Sequence, residues 1–238
     1  QAAYEYAKLM PSGCLYPCDA DGNVTVEVDG DNPYKNSVGG AWVNHLIVAD
    51  GVDEIPAGLC YQSEQLQSVR FGGSTLGKIG KNAFYQCKNL TDISLSGMSI
   101  GTIEGGAFFE CSSLTSLNIE EEANIGEMGK GAFERSGLLS TGLDKVAGLA
   151  SLPENAYKDC KALTDTGLGK NKSITSIGAN AFSGCKSLAI TGLEDNKKVK
   201  TLGDGCFSDT DMSDGLVLPY GSRIEELPSR AFYGTKLE

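Results

Sequence analysis

The sequence predicts an α/β-type repeat solenoid: a right-handed coil of about eight repeats of 24–25 residues, with one parallel β-sheet along one side and short helical or 3-10 turns elsewhere. Three observations lead there. An Ala-aromatic pair recurs as Ala83-Phe84, Ala107-Phe108, Ala132-Phe133, Ala156-Tyr157, Ala181-Phe182, Cys206-Phe207 and Ala231-Phe232, with Leu59-Cys60 as a degenerate first copy. From Cys60 onward the second members of the pair stand 24, 24, 25, 24, 25, 25 and 25 residues apart. Glycine supplies 31 of 238 residues, about twice its usual share, so turns recur often. A unit of about 24 residues cannot bury its own apolar face, and copies of it must stack so that each column runs through a common core.

Each element of the unit follows from its column. Eight residues before the aromatic stand Val52, Leu76, Ile100, Ile125, Leu149, Ile174, Val199 and Ile224. Three further on come Ile55, Ile79, Ile103, Met128, Leu152, Ile177, Leu202 and Leu227. The Ala-Phe-x-x-Cys stretch is short enough for a single helical or 3-10 turn. Its last position is small throughout: Ser63, Cys87, Cys111, Ser136, Cys160, Cys185, Thr210 and Thr235. A Leu or Met follows, three residues on in Leu66, Leu90, Leu114, Leu163 and Leu188 but two on in Leu138, Met212 and Leu237, where Ser or Thr replaces Cys. Next comes L-x-x-[V/I/L/T]-x-[L/I/F/V], as in Leu90-Thr91-Asp92-Ile93-Ser94-Leu95, whose period-two alternation predicts the half-buried strand. Polar stretches such as Lys170-Asn171-Lys172 and Asp195-Asn196-Lys197-Lys198 are expected to be exposed turns.

Bulk composition narrows the function. Net charge is −11, which argues against nucleic acid or anionic lipid as a partner through a general basic surface. Apolar runs stay well short of the roughly 18–20 residues of a membrane-spanning helix, so no membrane insertion is expected. One histidine, His45, serves the whole chain, which excludes a His-rich metal site and leaves any Ser/His/Asp or Cys/His mechanism dependent on it. Asp50 and Asp53 lie near it in a turn, but no nucleophile has a recognisable setting, so the sequence predicts no enzyme and no cofactor.

The unit resembles the BspA-like leucine-rich repeat, most literally in Ile177-Gly178-Ala179-Asn180-Ala181-Phe182-Ser183-Gly184-Cys185-Lys186-Ser187-Leu188 and in Ile79-Gly80-Lys81-Asn82-Ala83-Phe84-Tyr85-Gln86-Cys87. The resemblance covers about four fifths of the chain. It implies a right-handed leucine-rich repeat coil and a secreted or surface-displayed protein of gut or oral bacteria or some protists, with adhesion to host extracellular matrix or surface proteins. Its matching residues are the buried ones, and fold does not fix function. Two departures are Thr166 and Thr191 in an apolar strand column; with Thr-Gly-Leu at 141–143, 166–168 and 191–193 they predict narrower or twisted strands in the middle copies.

Residues 1–45 are expected to cap a solenoid of residues 46–238. Val24–Val28 alternates between turn signals and is expected as a strand over the first coil, with Tyr34 and Trp42 packing nearby. Asp19-Ala20-Asp21-Gly22-Asn23 lacks the later ligands of a calcium loop and is expected to be an ordinary turn. Cys14 and Cys18 stand outside the repeat as a local disulfide, a thiol pair or half of a zinc site without its second pair, whereas Cys87, Cys111, Cys160 and Cys185 share one column and are expected as free, buried thiols. The chain stops before the strand of the eighth copy, so truncation from a longer protein, or self-association through that bare end, is expected.

The expected function is a protein-binding or adhesion module, with a structural spacer in a larger surface protein as the alternative. Candidate binding residues alternate outward on the strands: Ser68, Arg70, Asp92, Ser94, Ser116, Asn118 and Asp165, joined by Ser140, Gly142 and Gly167. They are small and mostly polar, and no aromatic cluster marks an anchor among them. Glu120-Glu121-Glu122 and Glu225-Glu226 are solvated ridges, secondarily docking points for a basic partner.

Overall fold

Stacking of near-identical coils dominates the computed structural model, which describes residues 44–213, 218, 224 and 226–236 together with the backbone of residues 15–18. The chain forms a parallel-sheet solenoid of about seven turns with almost no helix, as the repeat predicts. The strand expected at Val24–Val28, Tyr34, Trp42, the turn at Asp19–Asn23 and the side chains of Cys14 and Cys18 lie outside the described residues.

Parallel pairing occupies two stretches of the first coils rather than one. The expected strand stretch gives β2 (His45–Val48), β4 (Ser68–Phe71) and β6 (Asp92–Ile93), with Leu46, Val69 and Ile93 in register. β1 (Leu15–Cys18) pairs antiparallel with β2 and covers that edge. The aliphatic-pair stretch carries the longer sheet: β3 (Glu54–Ile55), β5 (Thr75–Ile79), β7 (Ser99–Ile103), β8 (Ala123–Met128) and β9 (Val146–Ala147). It resumes in β10 (Ser151–Leu152), β11 (Ser176–Ile177) and β12 (Thr201–Leu202). Ile55, Ile79, Ile103 and Met128 pair in one row, and Leu152, Ile177 and Leu202 in another.

Beyond the third coil, among the described residues, the expected strand stretch keeps only the bridge Ser140–Asp165. The middle copies are thus turned, not narrowed. Gly142, Gly167 and Gly192 take φ of 72°, 66° and 75°, which breaks the extended chain. The threonines just before them are buried and replace the lost ladder. Thr141 Oγ1 donates to the Thr166 carbonyl (2.6 Å) and accepts from Leu143 N–H (3.1 Å); Thr166 Oγ1 donates to the Thr191 carbonyl (2.7 Å) and accepts from Leu168 N–H (3.2 Å). A hydroxyl in an apolar column is tolerated because both of its hydrogen-bonding capacities are used.

Two expected exposed turns hold a buried amide. Asn171 and Asn196 are 5% and 3% exposed. Asn171 Nδ2 donates to the carbonyls of Leu143 (2.7 Å) and Val146 (2.9 Å), while Oδ1 accepts from Ser173 and Ile174 N–H. Asn196 repeats the arrangement one coil on, toward Leu168, Asn171, Lys198 and Val199. The flanking Lys170, Lys172, Asp195, Lys197 and Lys198 face solvent.

The Ala-aromatic corner is a run of tight turns with a divided bonding pattern. Ala83, Tyr85 and Cys87 N–H donate back to Gly80, Asn82 and Phe84 carbonyls (3.0–3.1 Å). The alternating amides donate forward to the next coil: Asn82 to Gly105, Phe84 to Ala107 and Gln86 to Phe109 (3.1, 2.8 and 2.7 Å). Asn82 and Gln86 therefore adopt φ of 56° and 55°, the third-position requirement of a type II turn. The glycine of Ile-Gly-x-x-Ala-Phe serves close approach: a Cβ on Gly178 would lie 2.5 Å from the Pro153 carbonyl carbon.

This bonding holds the aromatic rings in one buried column. Phe84, Phe108, Phe133, Tyr157, Phe182, Phe207 and Phe232 stack at centroid separations of 5.1–5.7 Å, and all but Phe232 are essentially inaccessible. The small column beside it donates to the same carbonyls. Cys87, Cys111, Cys160 and Cys185 Sγ reach the carbonyls of Cys60, Phe84, Phe133 and Tyr157 in the preceding coil (3.0–3.2 Å), whereas Thr210 and Thr235 Oγ1 reach Phe207 and Phe232 in their own coil. These four thiols, with Cys60 and Cys206, are free and buried. Burial pushes Cys87 and Cys206 up to about 12 and Cys160 up to about 11.

Four outcomes follow from this packing. Phe133→Ala should destabilise by about 3–5 kcal/mol in denaturant melts, and a loss under about 1 kcal/mol would place the ring outside the core. Asn171→Leu strands buried carbonyls and amides, so a loss of at least about 2 kcal/mol is expected in the same assay. The thiols ionise more readily unfolded than folded, so stability should fall as pH rises through about 9 toward 11–12, by up to about 1.4 kcal/mol per thiol per pH unit. Native-state alkylation at pH 8.5 should leave the six thiols unlabelled until the chain unfolds; rapid labelling contradicts their burial.

Candidate functional site

The outward columns of the strand stretch collect most of the sequence-predicted residues. Ser68 does not join them: it is 7% exposed and its Oγ lies 2.8 Å from His45 Nδ1, a neighbour created by the β2–β4 register. Arg70 and Asp92 form an ion pair, both part-exposed. Ser94 Oγ donates to the Asn118 carbonyl (3.1 Å), and Asn118 Nδ2 donates to the Ile93 carbonyl (2.9 Å). Ser116 Oγ accepts from Asn118 N–H (2.9 Å), and Asp165 Oδ1 accepts from Gly167 N–H (2.8 Å). Arg70, Asp92, Ser94 and Asn118 hold neighbouring coils in register as well as facing water, while Ser116 and Asp165 brace their own turns. Ser116, Asn118, Ser140, Gly142 and Asp165 do come together, around a shallow cleft of about 230 Å³.

Two apolar residues on this side were absent from the sequence reading. Ile190 continues the column of Asp92, Ser116, Ser140 and Asp165 and is 45% exposed. Leu139, next to Ser140, is 51% exposed. The signal was available in the alignment, where Ile190 occupies a position otherwise held by Ser or Asp.

An aromatic cluster forms on a different surface, away from the strand-face residues. The residue after the buried ring is aromatic in three successive coils, and Tyr61, Tyr85 and Phe109 stack at 4.9 and 4.6 Å. The Arg135 guanidinium continues the stack 6.0 Å from the Phe109 centroid. Beneath it, Gln62 Nε2 donates to Gln86 Oε1 (2.8 Å) and Gln86 Nε2 to Glu110 Oε2 (2.9 Å). Between this ladder and the longer sheet runs a groove of about 650 Å³, walled by Tyr85 and Phe109, with Gly105, Gly106, Gly129 and Gly131 among its lining residues and Glu104, Glu127 and Glu134 bordering it. Burial raises the Glu134 carboxyl above its ordinary range, an effect opposed by Lys158 and reinforced by Asp159.

Among the described residues, His45 and Ser68 are the one pair with an outline of hydrolytic chemistry. Ser68 is buried, and among the described residues no carboxylate hydrogen-bonds the His45 ring, so the pair lacks the orienting third group of a triad. Among the described residues no group of three or more His, Cys, Asp or Glu could hold a metal ion, and no helix is long and apolar enough to cross a membrane.

Stacked short coils, a buried aromatic column and outward polar strands define a leucine-rich repeat solenoid. The family model described as "BspA type Leucine rich repeat region (6 copies)" matches residues 40–164 and 128–238, and the chain belongs to that family. Among solved structures it is similar to the leucine-rich repeat protein of T. pallidum, at 23% identity over 61% of this chain and 84% of that one, with a TM-score of 0.38. It is also similar to a leucine-rich repeat protein from Bacteroides ovatus, at 17% identity over 81% of this chain and 76% of that one, with a TM-score of 0.26. No curated protein matches the sequence.

Proposed function

We propose that the chain is a non-enzymatic binding and adhesion module of a secreted or surface-displayed bacterial protein, and that it engages a protein partner, such as a host extracellular matrix protein, through the strand face. One observation carries this reading. Leu139 and Ile190 stand half-exposed on a face whose other side chains are mostly small, polar and fixed by hydrogen bonds, Ser94 and Asn118 between coils and Ser116 and Asp165 within their own. A face already rigid loses little conformational entropy on binding, and isolated aliphatic groups on it gain by being covered. Arg70 and Asp92 add a charged point at the N-terminal end of the same face. Membership of the BspA-type family supports the surface or secreted setting.

The test is surface plasmon resonance over a panel of immobilised matrix glycoproteins. Saturable binding is expected, weakened about tenfold or more, equivalent to about 1.4 kcal/mol, by Leu139→Ser with Ile190→Ser, and weakened further when Arg70 and Asp92 become Ala. Absence of saturable binding would favour the spacer, and full binding by these variants at unchanged melting temperature would overturn the assignment to the strand face.

A further inference from the structure

The groove beside the Tyr61–Tyr85–Phe109 ladder lies on a separate surface from the strand face and has its own chemistry. Its wall is aromatic and its lining is rich in glycine, so a polypeptide backbone can approach closely. Glu104, Glu127 and Glu134 border it, with Lys81 and Lys130 the opposing cations. Lys130 is already neutralised by Glu154 at 2.7 Å, so the groove carries a net negative charge in a chain whose total is −11. Glu134 is half-buried and gains little from solvent.

We propose that this groove docks an extended segment of a partner protein bearing Lys or Arg side chains. The aliphatic stems of such residues pack along the edges of Tyr85 and Phe109 while their charged ends meet Glu104, Glu127 and Glu134. Arg135 shows within the molecule that this ladder accepts a guanidinium, since it lies over Phe109 and 3.8 Å from Glu110. The lining comes from three successive coils whose rings are 4.6 and 5.1 Å apart, a span of roughly 10 Å that takes about three to four extended residues. A cation placed there adds to the positive charge that Lys158 and Arg135 already bring to Glu134.

The experiment follows a fluorescein-labelled ten-residue Arg-Thr alternating peptide by anisotropy at physiological salt, with Gln-Thr and Glu-Thr peptides alongside. Two variant pairs remove the same charge at different places: Glu127→Gln with Glu134→Gln in the groove, and Glu120→Gln with Glu121→Gln on the solvated ridge. The expected result is binding of the Arg-Thr peptide alone, weakened about tenfold by the groove pair and less than about twofold by the ridge pair. Should the groove pair fail to fold, the exposed Glu127→Gln substitution alone is expected to weaken binding about threefold. Leu139→Ser with Ile190→Ser should leave peptide binding unchanged, which separates this site from the strand face. Equal loss from both glutamate pairs, no binding of the Arg-Thr peptide, or equal binding of the Gln-Thr peptide overturns the proposal.

Discussion

The forward hydrogen bond from each aromatic residue's amide to the alanine carbonyl one coil on, repeated at 2.7–2.9 Å from Cys60 to Phe182 with Cys206 once in place of alanine, is the constraint on which the structure depends. It ties neighbouring coils together at the tightest bend of the chain and sets the ring stacking directly beneath it. Once that spacing is fixed, the other columns have limited freedom. The small column must fit beside the rings and satisfy their carbonyls, which a thiol does by reaching back one coil and a threonine by bonding within its own. Stability is therefore a sum of neighbour-to-neighbour contacts, as in solenoids generally.

The same constraint explains where polar groups are buried. Coils that abandon the strand must satisfy their backbone by other means, and Thr141, Thr166, Asn171 and Asn196 do so with side chains that bond across 25–28 residues of sequence. A scaffold satisfied internally leaves its outward positions free to vary. Both binding surfaces proposed above, the strand face and the aromatic groove, are built from such outward positions, and neither requires the coil to rearrange.

The coil and its buried columns were legible in the sequence because core periodicity survives in every copy. The second sheet was not: Leu76 and Ile79, or Ile100 and Ile103, are buried three residues apart with a glycine between, a spacing that does not read as a strand. Asn171 and Asn196 looked like turn residues because their neighbours are charged, and only the three-dimensional stack reveals the carbonyls they serve. Among the strand-face candidates, Ser68 is covered by its partner His45 across a register that local pattern does not encode. The aromatic ladder was readable at the position after Cys60, Phe84 and Phe108, yet the buried ring beside it drew the alignment inward.

Amide hydrogen exchange at single-residue resolution addresses the shared corner bonding most directly. Glu110 and Arg135 lie at a surface turn where a free-standing loop would exchange quickly, yet their amides donate to the next coil at 2.8 Å. They are predicted to be protected nearly as strongly as the amides of Phe108 and Phe133 in the core. Exchange of Glu110 and Arg135 at the rate of an open loop, with only the ring residues protected, would contradict the account.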